Sequence, residues 1–99
     1  MPTRGLLCEA IRARSLLAFE YHGLARVVAP YCHGTNRRGL EVLRAVQLRG
    51  ATRSGRLGFG KLWIASKMVH VRVLEETFSP DDPDYNPDDS AMLRIHCRV

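Results

Sequence analysis

Leu6, Leu7, Ala10 and Ile11 recur at helical spacing near the start of the chain, with Glu9, Arg12 and Arg14 on the wet side. Thr3 is placed to cap this helix, although Arg4 sits at its positive end, where a cation is unfavourable. The helix is expected to close near Ser15. The pattern then becomes alternation, with Leu17, Phe19 and Tyr21 on one face and Ala18, Glu20 and His22 on the other. That predicts a half-buried strand, ended by a turn at His22-Gly23 in which Gly23 takes a positive φ.

A second strand runs from Arg26 to His33. Pro30 within it donates no hydrogen bond, so it belongs where a partner strand has ended or at a bulge. Gly34 to Gly39 reads as a second turn. Glu41 to Leu48 is a third strand whose apolar residues, Val42, Leu43, Ala45, Val46 and Leu48, occupy both faces. Gly50 to Gly60, with four glycines and two arginines, is expected to be a long hairpin tip. Lys61 to Ala65 forms a fourth strand around Trp63, which is expected in the core. Ser66-Lys67 is a brief turn before a fifth strand, Met68 to Thr77, bearing Val69, Val71 and Val73 on one face and Leu74 opposite. Ser79 to Asp89 is extended, with Tyr85 pinning it to the body. Met92 to Val99 adds a short edge strand or stays helical near its start.

The expected architecture is mainly β: a small five-stranded SH3-like or Sm-like barrel, strands in meander order, with the N-terminal helix plugging one end. Residues 1–78 would form the helix and barrel, and 79–99 an extended acidic tail packed on the same domain. With 99 residues there is room for one domain only. Nothing approaches eighteen consecutive apolar residues, which excludes a membrane-spanning helix. The N-terminal residues fit no secretion signal, so a cytoplasmic protein is expected.

Charge changes the picture most. Through Arg72 there are thirteen basic and three acidic residues, and from Val73 onward two basic and seven acidic. Such polarity offers a field to an anion, or lets the acidic end fold back on the basic face. The segment Arg37 to Lys67 alone holds eight basic residues against Glu41. Arg37 and Arg38 share a turn, Arg53 and Arg56 share the long loop, Arg44 and Lys61 lie on neighbouring strands, and Lys67 follows. Guanidinium forks suit phosphate oxygens, and six such contacts would give a log–log salt slope of about −5. Phe59, at the glycine-rich tip, is the candidate aromatic platform for a base.

Catalysis finds little footing. His22, His33, His70 and His96 stand singly and suit turns or wet strand faces, and the glycines match neither a dinucleotide fingerprint nor a P-loop. The aspartates between Asp81 and Asp89 lack calcium-loop spacing. Cys8, Cys32 and Cys97 are expected as reduced thiols in or near the core. A zinc site from Cys32-His33 and His96-Cys97 is disfavoured, because adjacent strand residues point to opposite faces. No catalytic residue, metal or cofactor is therefore expected.

Several pieces in order resemble the WYL-domain family, most closely short stand-alone bacterial WYL-like proteins. They are Glu9-Ala10-Ile11-Arg12, Leu17-Ala18-Phe19-Glu20-Tyr21-His22-Gly23 and Arg26-Val27-Val28-Ala29-Pro30-Tyr31. Further on come Lys61-Leu62-Trp63-Ile64-Ala65-Ser66-Lys67-Met68, Leu74-Glu75-Glu76-Thr77-Phe78 and Tyr85-Asn86-Pro87. The resemblance implies an Sm/SH3-like barrel acting as a ligand- or nucleic-acid-sensing module in bacterial transcription regulation or phage defence. Two departures stand out. The family's Trp-Tyr-Leu signature falls near Leu43-Arg44-Ala45, and basic positions of its arginine-rich segment fall on Lys61, Ile64 and Lys67. Lysine keeps the charge there but loses the fork.

The expectation is thus a non-enzymatic module that binds nucleic acid or a phosphorylated small ligand through Arg37, Arg38, Arg44, Arg53, Arg56, Phe59, Lys61 and Lys67. Regulation would need a partner subunit that binds DNA. The alternative is a homo-oligomer, such as a homodimer, or a partner-binding protein whose acidic tail docks on a neighbour's basic face.

Overall fold

The computed structural model describes residues 3–50, 58–83 and 85–99, without the side chains of Thr3, Arg4 and 58–61. The cap expected from Thr3 lies outside the described side chains, as do Phe59 and Lys61, and Arg53 and Arg56 lie outside the described residues altogether.

Helix α1 (Thr3–Ala13) ends when Arg14 swings to φ 55°, and β1 (Ser15–Tyr21) begins at once. His22 and Gly23, at φ 53° and 75°, make a two-residue turn into β2 (Leu24–Thr35), with Tyr21 opposite Leu24. Two successive positive φ values match the right-handed twist of the flanking strands, which is why a glycine serves here. After β3 (Glu41–Gly50) and β4 (Gly58–Ile64), a 3₁₀ turn (Ala65–Lys67) leads into β5 (Val69–Thr77), and β6 (Arg94–Arg98) comes last.

The antiparallel sheet runs β4-β3-β2-β1-β5, with β6 added to β2. Meander order holds from β1 to β4, but β5 then pairs with β1. The edge strands β4 and β5 are consecutive in the chain and joined by a single short turn, so the sheet must curl to bring those ends together. Among the described residues no pairing joins them.

Strand β2 explains how the last strand finds a place. One side pairs with β3 along nearly its full length, while the other pairs with β1 only as far as Val28. Beyond that, Cys32 to Thr35 pair with β6. Pro30 sits in the gap between these two partners and beside a bulge against β3, where its missing N–H breaks no ladder.

Leu7, Cys8, Ala10 and Ile11 of α1 press onto Leu17, Phe19, Tyr21, Val28, Leu43 and Trp63, forming the main core. Phe19, Tyr21 and Trp63 meet edge to face, with centroids 5.0–6.2 Å apart, an arrangement that ring quadrupoles favour. Trp63 is core as expected. Strand β1, expected to be half wet, is instead buried on both faces: Ala18 is only 3 % exposed. The opposite face carries a second cluster, where Leu16, Ala29, Tyr31 and Val46 are covered by Leu74, Phe78 and Tyr85. Tyr85 does pin its segment, its ring 5.0 Å from that of Tyr31. Arg26, counted as an ordinary strand residue, is 4 % exposed and lies over the Trp63 ring at 5.4 Å, donating to the Tyr21 carbonyl.

The cysteines depart from expectation. Cys8 of α1 and Cys97 of β6 are joined in a disulfide with Cα atoms 5.7 Å apart, and Cys32 is the buried free thiol. The odd count concealed a pair because its members are separated by nearly the whole chain.

Candidate functional site

Where β2 turns into β3, Asn36 organises the loop. Its side-chain oxygen accepts from the backbone N–H groups of Arg38 and Leu40, and its own N–H donates to the Leu40 carbonyl. This turn stands beside the start of β6, because Thr35 is paired with Arg94. Between them opens a cavity of about 360 Å³, lined by Thr35, Arg37, Glu41, Leu93, Arg94 and His96 together with the turn itself.

Its floor is a hydrogen-bonded cluster. The Thr35 hydroxyl donates to Glu41 Oε2 at 2.5 Å, and His96 Nε2 lies 2.8 Å from Thr35 Oγ1 and 3.2 Å from the same carboxylate oxygen. Thr35 has one hydrogen, already directed at Glu41, so the His96 contacts require the proton on Nε2. Behind them His33 is fully buried, its Nε2 3.7 Å from Glu41 Oε1 and its ring 5.3 Å from that of His96. Burial pushes the Glu41 carboxyl up, but the Thr35 hydroxyl, His96 and His33 outweigh it and hold the group below its ordinary value. Glu41 is therefore an anion at neutral pH, and the donors of Thr35 and His96 are spent within the cluster that holds it.

The expectation that all four histidines stand apart is corrected here. His22 and His70 are exposed, one in a turn and one on β5, but His33 and His96 converge on Glu41. The convergence comes from the pairing of β2 with β6, a contact between distant segments. Thr35, Glu41, Arg94 and His96 were absent from the predicted contact set; the adjacency of Cys32-His33 and His96-Cys97 was the only signal that could have found them.

The arginines divide into two groups. Arg44 donates to both carboxylate oxygens of Asp89, at 2.7 and 3.2 Å. Arg49 clamps Glu76 in the same way on the surface, and Arg98 approaches Asp88. Asp89 thus reaches back to β3 and engages Arg44. Arg37, Arg38 and Arg94 are exposed, and among the described residues their guanidinium groups meet no carboxylate. Arg37 and Arg94 line the cavity. Lys67 is exposed at the end of the 3₁₀ turn. Of the predicted contacts whose side chains are described, Arg37 alone lines this cavity.

The Arg44 clamp, together with an N–H from Ala91, holds the Asp89 carboxyl below its ordinary value. A carboxyl that titrates lower when folded stabilises fully above its unfolded value of about 3.9, and that stability is lost as pH falls through the depressed folded value. Asp89→Asn is expected to cost about 2 kcal/mol at neutral pH, and little in strong acid, where the wild-type carboxyl is itself neutral. Urea unfolding midpoints measured from pH 7 down to about 2 would check this; a penalty that persists in acid would contradict it.

No family model, curated protein or solved structure matches the chain.

Proposed function

We propose that this chain is a non-enzymatic binding module for a small anion of the phosphate-ester class, held in the cavity between the 36–40 turn and β6. One observation carries the reading. Arg37 and Arg94, brought together by a strand pairing between distant segments, line one cavity over the hydrogen-bonded Thr35–Glu41–His96 floor, and neither guanidinium is paired with an acid among the described residues. Guanidinium groups from two sides match the geometry of a tetrahedral oxyanion.

The cluster on the floor favours binding over catalysis. Thr35 and Glu41 both engage the same imidazole nitrogen, so the carboxylate does not orient His96 from its far side as a nucleophile–base–orienter chain requires. The curled sheet, whose edge strands are joined by a 3₁₀ turn but not paired among the described residues, leaves room for the SH3-like barrel expected from sequence, and a sensing role of the WYL-like kind rests on the sequence resemblance alone. A small ligand is favoured over nucleic acid because Arg44, central to an extended basic face, is occupied by Asp89.

Calorimetric titration with inorganic phosphate, a nucleoside monophosphate and short DNA and RNA strands at about 50 mM salt tests this. The phosphate ester is expected to bind, and Arg94→Ala to weaken it at least tenfold, about 1.4 kcal/mol. Arg72→Ala, on exposed β5, should leave it unchanged. Absence of binding, or equal binding by Arg94→Ala, would reject the proposal, and preference for a polynucleotide would move the interface elsewhere.

A further inference from the structure

Behind the cavity, Cys8 Sγ, Cys97 Sγ and His33 Nδ1 lie within 4.8 Å of one another, all buried. His33 and Cys97 are directly paired across β2 and β6, and Cys8 descends onto them from the buried side of α1. Nδ1 of His33 lies 3.7 Å from the sulfur of Cys8 and 3.9 Å from that of Cys97. Two ligands on one tetrahedral zinc, with Zn–S of about 2.3 Å and Zn–N of about 2.0–2.1 Å, stand about 3.6 Å apart. The imidazole nitrogen is thus already near the right distance from both sulfurs.

We propose that, when the Cys8–Cys97 bond is reduced, the chain binds one zinc-class divalent cation through Cys8 Sγ, Cys97 Sγ and His33 Nδ1. An external dithiol supplies two electrons, the S–S bond breaks, two protons complete the thiols, and the dithiol leaves as its own disulfide. Reduction also lets the sulfurs part to non-bonded contact, about 3.8 Å, which is the sulfur–sulfur edge of a tetrahedral site. The cation then takes a lone pair from each sulfur and from Nδ1, while both thiol protons pass to solvent. Three protein donors leave the fourth position to water or an added ligand.

The surroundings suit this use. Glu41 faces Nε2 of His33, the side on which a metal-ligating imidazole characteristically meets a carboxylate. Sulfur and imidazole donors select zinc over calcium or magnesium. Cys32 takes no part: it points to the other face of β2, with Sγ 3.5 Å from Met92 Sδ, and burial pushes its thiol up to about 11. In a reducing compartment the pair stands as thiols, so disulfide and metal site are alternative states of one locus.

The test uses the whole chain, reduced without oxygen, freed of reductant and titrated with cobalt(II), then zinc. One equivalent of cobalt should produce a sulfur-to-cobalt charge-transfer band with tetrahedral d–d bands, and zinc should abolish both. Cys32→Ser should behave as wild type, the oxidised chain should give no band, and His33→Gln should need at least about tenfold more cobalt. If reduction loosens the fold, circular dichroism in the same titration should show strand content returning at one equivalent. The proposal fails if the reduced chain gives no band or if the oxidised chain binds equally. It also fails if Cys32→Ser loses the site, or if His33→Gln binds as well as wild type, since two thiolates alone would then explain capture.

Discussion

Reducing the Cys8–Cys97 disulfide in metal-free protein is expected to lower stability by about 4–5 kcal/mol, because the bond closes a loop with a sequence separation of 89. The argument rests on the unfolded chain: a crosslink between α1 and β6 removes almost all the freedom its two ends would gain. For a domain this size the thermal midpoint should fall by roughly 20–30 °C. Cys97→Ala should lose a comparable amount. The effect should be largest in how firmly α1 and β6 are held, since both depend on this tie for their position against β2. Thiol counting gives an independent check. Unreduced protein should show no reactive thiol while folded, because Cys32 is buried with its thiol pushed up to about 11, and one when unfolded. Reduction should raise the unfolded count to all three cysteines. Three reactive thiols before reduction, or an unchanged midpoint after it, would show that the bond does not hold the fold.

Gly34→Ala is expected to cost about 3 kcal/mol or more, and to disable anion binding with it. A Cβ at this position would stand 2.1 Å from the Arg94 carbonyl oxygen and 2.9 Å from Met92 Sδ. Met92 can bend aside, but the backbone of β6 cannot without leaving β2. The strand that would move carries Arg94 and His96, so the cavity should open and lose one of its two guanidinium groups. Gly5→Ala is the contrasting case: it has nothing within 4 Å and lies in a helix, where alanine is favoured by about 1 kcal/mol. Chemical denaturation of both variants, with phosphate-ester titration of the folded Gly34→Ala protein, would check the prediction. A stable Gly34→Ala protein that binds as wild type would show that the approach of β6 to β2 does not build the site.

Much of the fold was legible because it is written in local periodicity. The helix, the alternation in β1, the His22-Gly23 turn and Pro30 beside a bulge each follow from neighbours in the chain. The burial of Leu16 on the second face of β1 was not legible, since it belongs to a cluster with Phe78 and Tyr85 far downstream. The candidate site was legible only in part. Clustered cations announced an attraction for anions, and Arg37 does line a cavity, but its companion Arg94 lies in the segment whose net charge is negative. The same blindness applied to Arg44, whose fork is taken by Asp89 rather than left for a ligand.

By itself, the order of residues determined a mostly β chain led by one helix, its turns, and an excess of positive charge. Tertiary structure alone decided which cations keep their charge available, which cysteines meet, and that two histidines share one carboxylate. The physical reason is a single non-local pairing. Strand β6 finds an unoccupied edge of β2 beyond Pro30, and side chains separated by most of the chain become neighbours there.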